Sequence, residues 1–263
     1  MKTGYYKDIP NAQYHAGEGV SKSQLDLLAK APALLQWSKA APEDEQKKKA
    51  LDFGDAMHAL LLEPHRFQAE YVVAPKLDRR SNAGKAEAAA WEQANAGRTI
   101  LTDEEGRKLQ LMRESVMAHP EARRLLEAEG DAESSIYWEE DGVLCRCRPD
   151  KALVKHNCIV DVKTTDDLAK FHFSARDYRY DVQDAFYSSG WAHHFDADPT
   201  FLFLVVGKTI NLGKYPVTLF ELSTEDKMNG QQEYKDQLAI YKECMATGEW
   251  PGVQTLALPK RFY

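Results

Sequence analysis

Three residues could do chemistry together: Asp150, Asp161 and Lys163. Asp161 and Lys163 stand two apart in Ile159-Val160-Asp161-Val162-Lys163-Thr164, an apolar run that reads as a buried strand. Residues two apart on a strand point to the same face. Aspartate and lysine are seldom fully buried unless paired or bound to a metal. Asp150 lies upstream, behind the strand-like run Val143 to Arg148 and Pro149. A hairpin between the two runs would bring both carboxylates together. Two convergent carboxylates suit a hard, oxygen-seeking cation such as magnesium. A lysine beside that cation can hold a water or stabilise charge on a phosphate. A D-x-K triplet alone is a weak signal, because most such charge pairs face solvent. The proline-flanked Asp150 and the apolar run around the triplet make this one stronger.

Helices must position the rest. Leu51 to Pro64 reads as an amphipathic helix closed by proline, with Phe53, Met57, Leu60 and Leu61 as its apolar face. His58 sits among them, either as a histidine of core or surface, or as a metal ligand or phosphate contact. Gly54, one turn earlier, would let another backbone come close. Residues 4 to 17 read as irregular. Ser21 and Gln24 form a capping box for a helix to Ala29, and a short helix covers Ala33 to Lys39. The segment with Lys76, Arg79, Arg80 and Lys85 is a basic loop able to bind phosphates, or else a solvated charge run. Helices then cover 85 to 97 and, capped by Thr102 with Glu105, the stretch to Met117.

Strand signals begin after Gly130. Glu133 to Trp138 and Val143 to Arg148 flank an Asp-Gly turn. Glu133 is either a further acid at the site or a surface glutamate. Ser174 to His194 reads as one helix, with Gln183 and Tyr187 on one face and Arg176, Arg179 and Tyr180 near its start. Thr200 to Val206 is almost wholly apolar, as in strands covered on both faces. Tyr215 to Leu222 is another strand, and Thr224 caps a helix to Thr247. The tail from Leu258 to Tyr263 is basic and aromatic. The expected α/β architecture is a mixed central sheet flanked by helices. Residues 1–263 form one domain, with 1–130 a mainly helical segment contributing His58 and 131–263 the sheet core.

Composition permits this. At 43% hydrophobic and 29% charged residues, a packed core is feasible. No run approaches the length needed to cross a bilayer, and Met-Lys-Thr-Gly-Tyr-Tyr lacks a signal-peptide core, so a cytoplasmic protein is expected. Cys145, Cys147, Cys158 and Cys244 contain no C-x-x-C spacing, and the first three, in strand-like runs, read as small core or strand residues. A net charge of -7 disfavours a nucleic-acid coat protein but leaves room for a nuclease with a local basic groove.

Several stretches together resemble one family: Gly19 to Gln24, Leu51 to His58, Asn82 to Lys85, Ala132 to Trp138, Cys145 to Lys151, Asp161 to Thr165, Tyr178 to Tyr187 and Glu249 to Pro251. The chain resembles the PD-(D/E)XK nucleases, and within them the RecE-type (exonuclease VIII) nuclease domains, which are similar to lambda exonuclease and the RecB nuclease domain. The resemblance implies a restriction-endonuclease-like core and Mg²⁺-dependent digestion of linear double-stranded DNA, 5′ to 3′, leaving 3′ overhangs. It implies Mn²⁺ as a substitute, a RecT-like single-strand annealing partner and a tetrameric ring. Carried over by position, Asp150, Asp161 and His58 hold the metal, and a backbone carbonyl, that of Val162, would complete its shell. Lys163 is then the catalytic lysine, and Gln183 and Tyr187 the helix motif that positions the strand. Arg79, Arg80, Lys85 and Arg179 are expected DNA contacts. The competing expectations are a non-catalytic DNA-end module and an endonuclease on the same fold.

Overall fold

Helix signals dominate the first 130 residues and strand signals the stretch that follows, and the chain obeys both. A computed structural model describes residues 1–42, 45–76 and 80–253, with backbone alone over 45–52. In chain order the first half runs β1 (Gly4–Tyr6), α1 (Asn11–Ala16), α2 (Lys22–Lys30), α3 (Pro32–Ser38), α4 (Glu45–Leu62), α5 (Pro64–Glu70), β2 (Tyr71–Val73), α6 (Asn82–Ala94), β3 (Thr99–Leu101), α7 (Asp103–Ala118) and α8 (Pro120–Glu127). The second half runs β4 (Asp131–Ala132), β5 (Ser135–Glu140), β6 (Val143–Cys147), β7 (Lys151–Leu153), β8 (Cys158–Thr165), α9 (Phe171–Asp177), α10 (Tyr180–Phe195), β9 (Thr200–Gly207), β10 (Val217–Phe220) and α11 (Thr224–Thr247).

The helix ends follow local chemistry. The Ser21 N–H donates to Gln24 Oε1 at 2.9 Å at the head of α2. At α7 the Glu105 N–H donates to Thr102 Oγ1 at 3.1 Å and the Thr102 N–H to Glu105 Oε2 at 2.8 Å. Proline opens α3, α5 and α8, where its missing N–H costs nothing. The cap of α11 is Ser223 rather than Thr224: Ser223 Oγ accepts from the Asp226 N–H at 3.1 Å. The segment 4 to 17, expected to be irregular, is ordered. β1 pairs antiparallel with β5. Arg146 donates to the Gly17 carbonyl at 2.5 Å, and Arg148 to the Ile9 carbonyl at 2.8 Å while lying 4.1 Å from the Tyr14 ring centre. These contacts cross more than a hundred residues, so no local pattern announces them.

The central sheet has five strands in the order β10-β9-β8-β7-β4. β8 and β9 are parallel and the other pairs antiparallel. A second sheet, β1-β5-β6, carries the chain away from it. The expected hairpin between 143–148 and 159–163 therefore does not form. β6 pairs with β5, and the short β7 is the strand that returns along β8.

β8 and β9 are covered on both faces, as the apolar run in β9 predicts. On one face Ile159, Phe201, Phe203 and Val205 pack with Leu25, Val182, Phe186, Trp191 and Tyr234 from α2, α10 and α11. On the other, Val160, Val162, Leu204 and Val206 pack with Met57 from α4 and Leu109, Met112 and Val116 from α7. All four cysteines are buried and free. Among the described residues, no helix is long and apolar enough to cross a membrane.

α10 must be seated well, because it faces β8. The buried Glu140 carboxylate accepts from Trp138 Nε1 at 3.0 Å, Ser189 Oγ at 2.9 Å and Tyr234 Oη at 2.8 Å, joining β5, α10 and α11. Its neighbour α11 crosses α10 closely at Gly230, where a Cβ would overlap the backbone carbonyl of Asp181. Gly230→Ala is expected to push the two helices apart. Overpacking of this kind costs about 1–3 kcal/mol, read as a lowered thermal midpoint.

The helix expected over 174 to 194 is two helices. α9 ends at Asp177 and α10 begins at Tyr180, with Arg179 at φ +54° between them. No glycine or proline marks the break. Arg179 instead reaches Asp26 of α2 at 3.0 Å and Glu233 of α11 at 2.8 Å, so tertiary ion pairs hold it.

Candidate metal and catalytic centre

The site lies where a strand ladder ends. β7 pairs with β8 through Lys151 and Val160, Ala152 and Ile159, and Leu153 and Cys158. Beyond that point Pro149 has no N–H to give, and the chain is arriving from the other sheet. The Val162 N–H is left without a ladder partner there, and it donates to Asp150 Oδ2 at 2.6 Å. Asp150 and Asp161 thus flank the fork. They are 8% and 1% exposed, which makes both carboxylates interior groups.

On the Ile159 face of β8, Asp161 and Lys163 project together, as their spacing requires. Lys163 Nζ lies 2.5 Å from Asp161 Oδ2, and Gln183 Nε2 of α10 donates to Oδ1 at 2.5 Å. Oδ2 is wholly buried, with the Lys163 ammonium set against it. From the opposite face α4 brings His58. Its Nε2 is 2.8 Å from the Val162 carbonyl oxygen and its Nδ1 is 3.5 Å from Asp150 Oδ2. The carbonyl contact implies the proton on Nε2, an assignment inferred from partners. Gly54 shows no close approach among the described residues, none of which lies within 4 Å of where its Cβ would stand.

Glu133 belongs to the same group. It does not run along a strand. It sits at φ +49° between β4 and β5, where the chain passes from one sheet to the other. Its N–H donates to the Asp150 carbonyl at 3.0 Å. One ligand atom each from His58, Glu133 and Asp150 lies within 4.8 Å of the other two. Asp161 stands outside that trio, held by Gln183 and Lys163.

The electrostatics of this group favour a cation. Burial pushes the Asp150 carboxyl up to about 6, with Asp161 adding to the rise and His58 opposing it. Burial pushes Glu133 up to about 8, with Asp150 and Glu63 adding to the rise. For Lys163, burial pulls downward, but Asp161 and Asp150 outweigh it and hold the ammonium above the usual lysine range. Crowded buried carboxylates, one imidazole and one backbone carbonyl form an oxygen-and-nitrogen donor set of the kind a hard divalent cation takes. The residues present therefore fit such an ion.

A pH dependence follows. Without a cation, the folded chain keeps protons on Asp150 and Glu133 that the unfolded chain has released above about pH 4. Stability is then expected to fall as pH rises through about 6 and on toward about 8. Thermal midpoints measured from pH 5 to 8 should show this slope. Glu133→Gln should flatten it at the upper end, and saturating Mg²⁺ should raise the midpoint more at pH 8 than at pH 5, because ligands bind cations deprotonated.

Beside Lys163 a cavity of about 650 Å³ opens between α10 and the head of α2. Lys163, Gln183, Tyr187, Tyr178 and Tyr180 form one side, and Ser21 to Gln24 the other. Nothing in the local sequence signals that the α2 cap and Tyr180 wall this space. Tyr187 lines it with burial holding its hydroxyl well above the usual tyrosine range. The expected DNA contacts are placed differently. Arg80 and Lys85 are exposed near the start of α6 and do not line the cavity. Arg179 is 18% exposed at its side chain and clasped by Asp26 and Glu233, so a phosphate contact would have to share two existing ion pairs. Arg79 and the tail from Leu258 to Tyr263 lie outside the described residues.

A mixed sheet flanked by helices, with an acid and a D-x-K strand meeting at a fork, defines a PD-(D/E)XK-type nuclease fold. The chain belongs to the PDDEXK-like domain family of unknown function DUF3799, whose sequence profile matches residues 21–255. A crystal structure of a candidate exonuclease from Eubacterium rectale shares the fold, with a TM-score of 0.64, 10% identity and coverage of 97% of this chain and 96% of that one. A phage-related exonuclease from Haemophilus somnus aligns at a TM-score of 0.31 and 12% identity, over 64% of this chain and 85% of its own, too loosely to bear on the fold. No curated protein matches the sequence.

Proposed function

We propose that the chain is a Mg²⁺-dependent exodeoxyribonuclease that digests linear double-stranded DNA from 5′ ends and leaves 3′ single-stranded overhangs. The observation that carries the nuclease part is the fork itself. Two buried carboxylates, Asp150 and Asp161, stand beside a charged amine, with the Lys163 ammonium 2.5 Å from Asp161 Oδ2. Asp150, Asp161, His58 and the Val162 carbonyl would hold the cation, with Glu133 close enough to join. A bound Mg²⁺ would supply a more acidic water and neutralise charge on the phosphodiester. With its proton on Nε2 toward the Val162 carbonyl, His58 offers the Nδ1 lone pair, 3.5 Å from Asp150 Oδ2, as its ligand atom.

Lys163 keeps its proton at neutral pH, because the acids beside it raise its affinity for that proton. Its part is therefore electrostatic: it orients a water and faces the charge that builds on the phosphate. Gln183 fixes the Asp161 carboxylate by donating to Oδ1. Tyr187 and the head of α2 border the cavity that would take the strand. The 5′-to-3′ polarity, the tetrameric ring, the RecT-like partner that would anneal the product, and Mn²⁺ as a substitute rest on the resemblance to RecE-type domains. A ring would keep the enzyme on DNA by topology and would place a basic bore inside an acidic exterior.

The test uses linear duplex labelled at the 5′ or the 3′ end, alongside covalently closed circles, all with Mg²⁺. The expected result is early release of the 5′ label, slow release of the 3′ label and intact circles. Cut circles would point to an endonuclease. Equal DNA loss for the wild type and Asp161→Ala would remove the site from the mechanism. Native mass measurement checks the tetramer.

A further inference from the structure

Three aromatic rings run in file from the core to the surface beside the catalytic amine. Phe203, on β9, is 1% exposed. Tyr180 stacks on it, with centroids 5.3 Å apart and planes inclined by 23°. Tyr178 stacks on Tyr180 at 5.9 Å and 23°. Lys163 Nζ lies 4.8 Å from the Tyr180 ring centre, so the file passes directly beneath the ammonium. The outermost ring, Tyr178, is 63% exposed and stands at the cavity that holds Lys163 and Gln183.

Large aromatic side chains bury most of their area when packing alone decides. Tyr178 is held out of the core by contacts to its backbone. Lys22 donates to its carbonyl and pairs with Asp26 at 2.8 Å. The Tyr178 N–H donates to the Ser174 carbonyl at 2.9 Å. The next residue is Arg179, whose left-handed backbone turns the chain between α9 and α10 while its guanidinium grips α2 and α11. A helix running unbroken from 174 to 194 would lack this turn. The interaction open to a braced, exposed ring with another ring behind it is stacking with a planar group. Every nucleobase offers a π-face, so such a platform is indifferent to sequence.

We propose that Tyr178 is a stacking platform for a nucleobase of the DNA strand whose backbone passes Lys163, with Arg179 and Lys22 as its positioning residues. This rests on the nuclease reading and adds the element that places the strand. The occupant is one base near the strand end. The phenol hydroxyl is not needed for it.

The test replaces each of the first three nucleotides of the 5′-ended strand in turn with 2-aminopurine. Fluorescence is read on binding, with Ca²⁺ in place of Mg²⁺ to suppress cleavage. Stacking should quench one position with the wild type and with Tyr178→Phe, and not with Tyr178→Ala. With Mg²⁺, Tyr178→Ala should raise KM about tenfold or more, the worth of one stacked base, with little change in kcat. Tyr178→Phe should behave as wild type, and thermal midpoints should agree across all three. Unchanged quenching and KM in Tyr178→Ala, or no quenching by the wild type at any position, would overturn the platform. A wild type that quenches but does not cut linear duplex would keep the platform and end the nuclease reading.

Discussion

Asp150→Asn is expected to remove Mg²⁺-dependent DNA cleavage while leaving the fold as stable or more so. Asparagine keeps an oxygen that can accept from the Val162 N–H, now met by Asp150 Oδ2 at 2.6 Å. It removes a charge that the interior tolerates poorly, since burial, with Asp161 adding to it, pushes this carboxyl up to about 6 despite His58 and Lys163. A rise of that size corresponds to roughly 2–3 kcal/mol of strain on the ionised form at neutral pH. It also removes repulsion with Glu133 and Asp161. Metal assistance is worth several kcal/mol in the transition state, and each 1.36 kcal/mol is a factor of ten in rate. The cleavage rate should therefore drop by about 10³-fold or more. The cation-free thermal midpoint at pH 8 should hold or rise. Loss of rate with a falling midpoint would mean that Asp150 is needed for folding rather than for chemistry.

Lys163→Ala has the second largest effect, and its sign on stability is opposite. Removing the amine leaves Asp161 buried with one oxygen bare and the other held only by Gln183. Breaking a buried ion pair by deleting one partner commonly costs about 3–5 kcal/mol, so this variant should melt earlier in the absence of cation. Its cleavage rate should fall by about 10²–10⁴ with DNA affinity little changed. Lys163→Arg separates the two effects. It restores the charge and most of the stability, but the planar guanidinium cannot reproduce the point contact of an ammonium, so the rate should stay low. Single-turnover cleavage and melting curves on the same three proteins decide this. A Lys163→Ala protein that cleaves at the wild-type rate would contradict the role given to the amine.

Local signals made part of this site readable in advance. Asp161 and Lys163 share a face because strand geometry leaves no alternative, and the apolar run around them told of burial. The capping residues of α2 and α7 marked those helix starts for the same reason: their hydrogen bonds span three residues. What could not be read depends on distant partners. β7 is three residues long and is defined by its pairing with β8, so the run 143–148 looked like the natural neighbour of 159–163. Glu133 enters the trio with His58 and Asp150 because the chain changes sheets there with a left-handed residue, a turn with no glycine to announce it. The break at Tyr178 and Arg179 is imposed by Asp26 and Glu233, more than fifty residues away in either direction.

The central claim is that His58, Asp150, Asp161 and the Val162 carbonyl, with Glu133 close by, surround one divalent cation beside Lys163. Anomalous diffraction from a crystal soaked in Mn²⁺ tests it most directly. A strong peak at the fork, about 2.0–2.2 Å from carboxylate oxygens of Asp150 and Asp161 as for a small hard cation, is the predicted result. No peak there at saturating Mn²⁺, with the Asp161–Lys163 ion pair unchanged, would contradict it.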